Sequence, residues 1–351
     1  MDPVSSPPGT PAAGAAAPSW RRFLEWLNRY RGLVALVVVF ALGCMLSPRT
    51  RDTGLPIFLE PRTQGDILFE YCEYGLLAAG MTLVILTGGI DLSVSSVLGF
   101  CATLFALLTI AYGWSVPPAI GVTLLAGLAA GSVNGALVAW FRMQPFVATL
   151  AMMTAARGAA KWISGGIKVQ AGGASWYDVM GHSPGFFTWM TTGLPGIGLQ
   201  PATLLFLLVI GVLAVVVRSS AYGRTIYAIG GNEEAARLCG IPVASRKLLT
   251  YALCGLTAAL AGIVNACRQD MGDPEAGFGF ELDAIAAVVI GGTSLMGGRG
   301  GMFLTLVGVL IMGYINKILS LRAVDIAPRM VIQAAIIVVA VLIQRQRRGQ
   351  S

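Results

Sequence analysis

The chain contains a series of long segments that are apolar and carry no charged side chain. Residues 32–47, 93–113 and 199–217 are three such segments, and none of them contains Asp, Glu, Lys or Arg. A helix that crosses a bilayer needs about 20 mostly apolar residues, and a soluble protein of this length has no use for so many segments of that kind. We therefore expect an all-α fold, that of a polytopic membrane protein.

Counting every apolar segment between polar breaks predicts about ten transmembrane helices, of which at least one is broken. Charged residues make up 12% of the chain, whereas they make up about a quarter of a typical soluble domain. The predicted spans are 32–47, 66–87, 93–113, 116–141, 146–164, 199–217, 248–267, 281–296, 302–320 and 327–344.

The positions of the basic residues predict the orientation of these spans. Lys and Arg are densest before the first span, in the 218–247 loop and after the last span. An even number of spans places these three segments on one side of the membrane, and their positive charge makes that side cytoplasmic. Both termini and the 218–247 loop are therefore predicted to be cytoplasmic, and the 165–198 loop to be external.

The chain is expected to form one membrane domain between two tails. Residues 1–19 are rich in Pro, Ala, Gly and Ser and carry a single charge, which is typical of a disordered segment. They form the first predicted cytoplasmic tail. Residues 20–345 form the predicted single transmembrane domain, and residues 346–351 form a second cytoplasmic tail.

The 218–247 loop contains a short segment with the marks of a helix that is capped at both ends. Asn232 is a good N-cap, and Glu233 and Glu234 place negative charge at the positive end of the helix dipole. Gly240 stands where a left-handed residue is preferred after a helix, and Pro242 prevents the helix from continuing.

The same segment would carry one small apolar face. Ala235, Leu238 and Cys239 follow the i, i+3, i+4 spacing of residues that lie on one side of a helix. Two interpretations are open. The segment is an ordinary solvated loop with one helical turn, or it is a surface that presses into a partner.

Four blocks of sequence resemble permease subunits of ATP-binding cassette importers. One block is EAA at 234–236, which ends with Ala236 and is followed after three residues by Gly240. It is similar to the EAA…G signature of these permeases. YGR at 222–224 and IGGNE at 229–233 look like the version in monosaccharide importers of the ribose, xylose and arabinose type. The other blocks, in family order, are TGGIDLSV at 87–94, QPFVATL at 144–150 and ELDAIAAVVIGGTSL at 281–295.

The resemblance implies a subunit of the bacterial inner (plasma) membrane that forms the translocation pathway for a monosaccharide. A pentose, a hexose, a furanose and a polyol all agree with it. It also implies three protein partners: an ATPase subunit, a periplasmic sugar-binding protein and a second permease chain, identical or different. The 232–240 segment would then couple to the ATPase, and 165–198 would be a periplasmic loop.

Two glycine pairs interrupt the apolar segments. Gly88 and Gly89 follow the second predicted span, and Gly291 and Gly292 divide the eighth. Broken helices at membrane depth are tolerated only where protein or a water-filled cavity surrounds them. These pairs are therefore predicted structural breaks, and Asp91 beside the first pair is expected to cap the helix that follows.

The sequence lacks the residue patterns of an enzyme. No phosphate-binding loop of the form GxxxxGK[ST] is present, so ATP hydrolysis is expected in a partner subunit. His182 is the only histidine, and the six cysteines show no CxxC spacing. No catalytic residue, metal site or cofactor is predicted, and no nucleic-acid partner, because the basic residues lie at span ends.

Polar residues inside the spans are candidates for contact with a substrate. Ionisable groups within a membrane are costly and usually face a protein interior or a pathway. A neutral sugar needs hydrogen-bonding groups for its hydroxyls, so Asn134 and Asn265 are the predicted pathway residues. The other candidates are Glu70, Glu73, Arg157, Asp283 and Asn316, and for Glu70, Glu73 and Arg157 an interfacial position or a structural pair is favoured.

Two other classes of membrane protein fit the sequence less well than an importer subunit. A self-sufficient secondary transporter or channel would be expected to place coupling carboxylates in the middle of its spans, and few candidates occur there. A membrane scaffold would have no need of polar breaks within its spans.

Overall fold

The computed structural model describes residues 31–50, 54–172 and 184–345. Both predicted tails lie outside these ranges, as does His182. Fourteen α-helices occur in the described residues: α1 Arg31–Leu46, α2 Pro61–Glu70, α3 Cys72–Leu86, α4 Val94–Ala106, α5 Val116–Ala139, α6 Pro145–Ser164, α7 Gly185–Thr191, α8 Pro201–Ser219, α9 Ala221–Gly231, α10 Glu233–Leu238, α11 Val243–Gln269, α12 Phe280–Gly291, α13 Met302–Leu321 and α14 Ile326–Arg345.

Little of the described chain is extended. Two short strands, β1 (Val169–Gln170) and β2 (Met271–Gly272), form an antiparallel pair. A π-helical turn, Leu107–Ala111, continues α4. The all-α fold predicted from the sequence is therefore confirmed.

The predicted number of ten spans is not confirmed. In the described ranges, five helices are long and apolar enough to cross a membrane, or six if the bent pair α2–α3 counts as one span. The five are α4 with its π-helical extension, α5, α8, α11 and α13. Helix α12 coincides with the eighth predicted span but has only 12 residues, fewer than the roughly 20 that a single crossing requires.

Helix α3 lies at the centre of the bundle. All of its residues except Tyr74 are buried, as expected for a helix that is apolar on every side. Helix α11 packs along α3, where Gly80 contacts Thr257 and Cys254. On the other side of α11, helix α5 approaches through its glycine series 127, 131 and 135, so that series serves close helix packing.

The second predicted span, 66–87, is not one continuous helix, so this prediction is wrong. Helices α2 and α3 meet at Tyr71 at an angle of 53°. Arg62, Asp66 and Glu70 recur every four residues on α2 and therefore form one polar stripe. Such a stripe is unfavourable in the hydrocarbon layer, so α2 turns away from the direction of the apolar α3.

Both glycine pairs stand at helix ends. Helix α3 ends two residues before Gly88, and α12 ends at Gly291, where Gly292 adopts a left-handed conformation with φ of 116°. Residues 292–301, which we call the break loop, connect α12 to α13. Asp91 Oδ1 accepts hydrogen bonds from the Ser93 amide at 2.9 Å and from its hydroxyl at 2.6 Å. Asp91 thus stabilises the turn that leads into α4.

Candidate functional site

The segment predicted to be a doubly capped helix folds as one. Helix α10 begins after Asn232, whose side-chain oxygen accepts a hydrogen bond from the Ala235 amide at 3.0 Å. At its other end the Ile241 amide donates to the Ala236 carbonyl at 3.1 Å, and Gly240 is left-handed with φ of 79°. We call residues 232–241 the capped helix.

One side of the capped helix is fixed to the rest of the protein. Ala236 is buried against Ile229, Ile241 and Val243 in a small apolar cluster.

Ion pairs hold the same side of the capped helix. Glu233 accepts a hydrogen bond from the Lys247 ammonium at 2.6 Å and pairs with Arg237 at 3.2 Å. Apolar contacts and ion pairs therefore both set the orientation of this short helix.

The other side of the capped helix is open. Leu238 is 82% exposed, and Ala235, Cys239 and the acidic Glu234 are exposed as well. The small apolar face predicted from spacing therefore points away from the protein. Contiguous exposed apolar surface is typical of contact sites, and Leu238 forms a small patch of it with Ala235 and Cys239.

A cavity of about 750 Å³ adjoins the capped helix. Glu233 and Glu234 border it on one side, and the turn between α5 and α6 borders it on the other. In that turn Trp140 is 62% exposed and Phe141 is 72% exposed. Sequence reasoning did not single out this turn, although two aromatic residues before Arg142 mark the end of the apolar segment.

Helix α9 precedes the capped helix and was missed in the sequence. Its N-cap is Ser220, whose hydroxyl accepts a hydrogen bond from the Gly223 amide at 3.1 Å. Tyr222, Ile226 and Ile229 are its buried side chains, and their i, i+4, i+7 spacing was the signal that could have revealed it. The 218–247 loop is thus a pair of helices.

The backbones of three segments meet where α9 ends. The Gly298 amide of the break loop donates to the Leu86 carbonyl, the last residue of α3, at 3.0 Å. Gly230 of α9 packs onto both, and a Cβ atom there would collide with the Leu86 carbonyl oxygen. The Tyr227 hydroxyl donates to the Gly300 carbonyl at 2.7 Å. We call this contact of Leu86, Gly230 and Gly298 the glycine junction.

A second cavity, of about 430 Å³, lies at the other end of α3. Since α3 rises about 1.5 Å per residue, its 15 residues separate this cavity from the glycine junction by roughly 20 Å. We call it the polar cavity because most of its lining residues are polar or charged. They are Glu70, Tyr71, Glu73, Tyr74, Asn265, Arg268, Gln269, Phe280, Asn316, Ser320 and Arg329.

A buried ion pair forms one wall of the polar cavity. Glu73 is 2% exposed, and its Oε1 accepts from the Arg268 guanidinium at 2.8 Å. Its Oε2 accepts from the Asn265 amide at 2.8 Å, and Asn265 Oδ1 accepts from Gln269 at 3.1 Å. The carboxylate is therefore neutralised and hydrogen-bonded at both oxygens, as a buried charge requires.

Aromatic rings form another part of the lining. The Tyr74 and Phe280 rings lie 4.3 Å apart between centroids, and Tyr71 and Tyr74 lie 5.2 Å apart. The Asn316 amide donates to the Tyr71 hydroxyl and to the Met312 carbonyl. Tertiary structure thus brings aromatic faces and amide groups to one concave surface.

The structure gathers some of the sequence-predicted polar residues and separates others. Asn265, Glu70, Glu73 and Asn316 all line the polar cavity. Arg157 does not, because its guanidinium donates to the carbonyls of Pro274 and Ala276 at 2.7 and 2.8 Å. The structural pair predicted for Glu73 is present, and its partner is Arg268. Arg157 instead holds the loop that contains Pro274 and Ala276.

Asn134 lies elsewhere in the bundle. It is 0% exposed, and its amide donates to the Ser93 hydroxyl at 2.8 Å and to Asp91 at 3.4 Å. In this conformation it belongs to the hydrogen-bonded turn that leads into α4. Its proposed contact with a substrate stays a prediction.

Breaking the buried pair of the polar cavity should destabilise the protein far more than breaking an exposed one. Arg268→Gln leaves the Glu73 charge buried without its counter-ion, and we expect a loss of about 3–5 kcal/mol in the free energy of unfolding. The matched control is Lys317→Gln, which breaks the more exposed 3.4 Å pair with Glu70 and should cost below about 1 kcal/mol. Unfolding by SDS titration in mixed micelles measures both, and equal losses would contradict this view of the cavity wall.

Comparison with known proteins identifies the family. A family model described as "Branched-chain amino acid transport system / permease component" matches residues 65–341. The ribose import permease protein of Escherichia coli (strain K12) is 38% identical over 94% of this chain and 98% of its own length. The Escherichia coli galactofuranose transporter permease protein is 38% identical over 93% and 92%.

A third relative extends over the whole chain. The L-arabinose ABC transporter permease protein of Azospirillum brasilense is 34% identical over 100% of this chain and 97% of its own length. The matches therefore include the capped helix, the glycine junction and the polar cavity. The chain belongs to this family of transport-system permeases, and it is a multi-pass membrane permease subunit of an ABC importer.

Proposed function

We propose that this chain forms, with a second permease chain, the translocation pathway for a monosaccharide that a periplasmic binding protein delivers. A separate ATPase subunit supplies the energy through the capped helix. The relatives named for ribose, galactofuranose and L-arabinose support the class of substrate. The observation that carries the proposal is the capped helix itself, which is anchored on one face and exposed on the other.

The exposed face of the capped helix fits a groove on an ATPase subunit. Leu238, 82% exposed, supplies an apolar anchor, and Glu234 supplies negative charge at the positive end of the helix dipole. Because Glu233 is already paired with Lys247 and Arg237, it holds the helix in place and leaves Glu234 for the partner. The adjoining cavity, bordered by exposed Trp140, enlarges the docking surface.

The glycine junction transmits movement of the capped helix into the membrane. Helix α9 runs directly into the capped helix, and its Gly230 touches the end of α3 and the break loop. Tightly packed backbones have no side chain between them to absorb a displacement. A shift of the capped helix therefore moves α3 and the break loop with it.

The orientation that follows places the capped helix in the cytoplasm. The basic residues of the 218–247 loop favour that side, and a cytoplasmic ATPase requires it. Both termini are then cytoplasmic as well. Since the polar cavity lies at the opposite end of α3, it opens toward the periplasm, together with the 165–198 loop.

Substitutions in the capped helix should abolish coupling without disturbing the membrane domain. Gly240→Val forces a β-branched residue into a left-handed conformation, at a cost of roughly 1–2 kcal/mol, and Glu234→Lys reverses the charge at the helix N-terminus. Both variants should be as abundant in the membrane as the parent protein. Both should lose sugar uptake and co-purify poorly with the ATPase subunit.

The matched control is Gly240→Asn, since Asn tolerates the left-handed conformation. It should retain most of the uptake and the bound ATPase. Normal uptake by Gly240→Val or Glu234→Lys, with the ATPase still attached, would exclude the capped helix as the coupling element.

Adjacent glycines of α9 provide a test of transmission through the junction. Gly230→Ala places a methyl group against the Leu86 carbonyl and must separate the three backbones, whereas nothing lies within 4 Å of a Cβ at Gly231. We expect Gly230→Ala to keep its ATPase and to lose uptake, and Gly231→Ala to transport normally. Uptake and co-purification are measured for both, and equal behaviour of the two variants would refute the transmission role.

A native cysteine reports the orientation. Cys239 is exposed on the capped helix, so a membrane-impermeant maleimide should spare it in right-side-out vesicles and modify it in inside-out vesicles. Thr192→Cys, at the exposed end of α7, should show the reverse pattern. The Cys239→Ser variant identifies the labelled site. Labelling of Cys239 from the periplasmic side would overturn the orientation.

A further inference from the structure

We propose that the polar cavity is a binding site that an uncharged monosaccharide occupies during its passage through the permease. This inference rests on the proposed function, which names the class of substrate but assigns it no site. The size, the hydrogen-bonding groups, the aromatic surface and the paired carboxylates of the cavity each support it.

The cavity has the size of a small-molecule site. Its volume of about 430 Å³ falls within the roughly 300–1,000 Å³ that such sites span. It is also open enough to admit a ligand, because Gln269 and Ser320 on its rim are exposed. A single sugar ring therefore fits, with room for water.

The polar groups of the cavity suit a ligand covered with hydroxyls. A hydroxyl both donates and accepts a hydrogen bond, and the amides of Asn and Gln offer both functions from one side chain. Asn265, Gln269 and Asn316 bring three such amides to the lining, and the hydroxyl of Ser320 adds a fourth two-way group. Bonds to Glu73 and Tyr71 fix the positions of Asn265 and Asn316.

The aromatic wall suits the apolar face of a sugar ring. Sites for small molecules combine aromatic surface with a few placed polar groups. Tyr74 and Phe280, 4.3 Å apart, come from α3 and α12 and offer such surface in the same lining as the amides. Both rings are partly exposed, so a ligand can reach them.

The charges of the cavity disfavour a cationic ligand. Its two carboxylates, Glu70 and Glu73, are both already paired with basic side chains. Glu73 and Arg268 neutralise each other, and Glu70 pairs with Lys317 at 3.4 Å. A cation, or the ammonium group of an amino acid, would have to break such a pair, which is costly for a buried charge.

The walls of the cavity also connect it to the capped helix. Helix α11 begins at Val243, directly after the capped helix, and carries Asn265 and Arg268 near its other end. Helix α3 carries Glu73 and Tyr74 in its first turn and reaches the glycine junction with its last residue. A displacement at the ATPase side would therefore change the spacing of the walls and release the sugar.

The test compares sugar uptake by variants of the complete complex of permease, ATPase and binding protein in proteoliposomes. D-Ribose, D-xylose and L-arabinose are the probes, and L-leucine is the negative control. Tyr74→Leu and Asn316→Ala should each raise the KM for the transported sugar about tenfold, the change expected on losing roughly one ligand contact. The matched control, Tyr112→Leu, alters a tyrosine that is 60% exposed and outside the lining, and should leave KM unchanged.

A second measurement tests the inference even if Tyr74→Leu or Asn316→Ala fails to fold. Ser320→Cys is nearly isosteric and places a thiol on the exposed rim, where millimolar transported sugar should slow maleimide labelling and L-leucine should not. If the parent complex imports no pentose, hexose, furanose or polyol, the proposed function fails and this inference with it. If the parent imports sugar, the inference alone is overturned by unchanged KM in both variants or by labelling of Ser320→Cys that sugar does not slow.

Discussion

Close packing between α3 and α11 is the contact on which the rest of the structure depends. Gly80 of α3 lies against Thr257 and Cys254 of α11, and α5 approaches the other side of α11 through Gly131 against Gly255. In a bilayer the hydrophobic effect does little to hold helices together, so dispersion contacts between closely approaching backbones must do so. This packing gives the bundle two long elements that reach from one of its ends to the other.

The two ends of these helices differ in chemical character. At one end the capped helix exposes Leu238 and Glu234 on a surface held by Glu233 and Ala236. At the other end the Glu73 carboxylate is shielded from solvent, hydrogen-bonded and paired with the partly exposed Arg268. Under the proposed function, rigid helices between an ATPase contact and a ligand site would allow a binding event at either end to bias the other, as coupling between sites requires.

Much of the helical layout could be predicted from apolar segments, but bends and short helices could not. The segment 66–87 was predicted to be one continuous helix because hydropathy is averaged over a window of residues. The angle between α2 and α3 at Tyr71 arises from the polar stripe of α2, which such an average does not show. Helix α9 was missed because Gly223, Gly230 and Gly231 weaken its propensity, and buried contacts of Ile226 and Ile229 compensate. For α10, by contrast, Asn232 and Gly240 act within a few residues of one another, so local sequence sufficed.

The amino-acid sequence by itself determined the helical membrane fold, the capped helix and the family, since hydropathy, capping and motifs are local properties. Only the tertiary structure decided which polar residues meet. Asn265 and Asn134 are equivalent as isolated amides in apolar segments, yet one lines a cavity with Glu73 and the other is enclosed with Asp91 and Ser93. Residues 192 positions apart form the Glu73–Asn265 hydrogen bond, and no local pattern encodes such a contact, because it depends on the register in which α3 packs against α11.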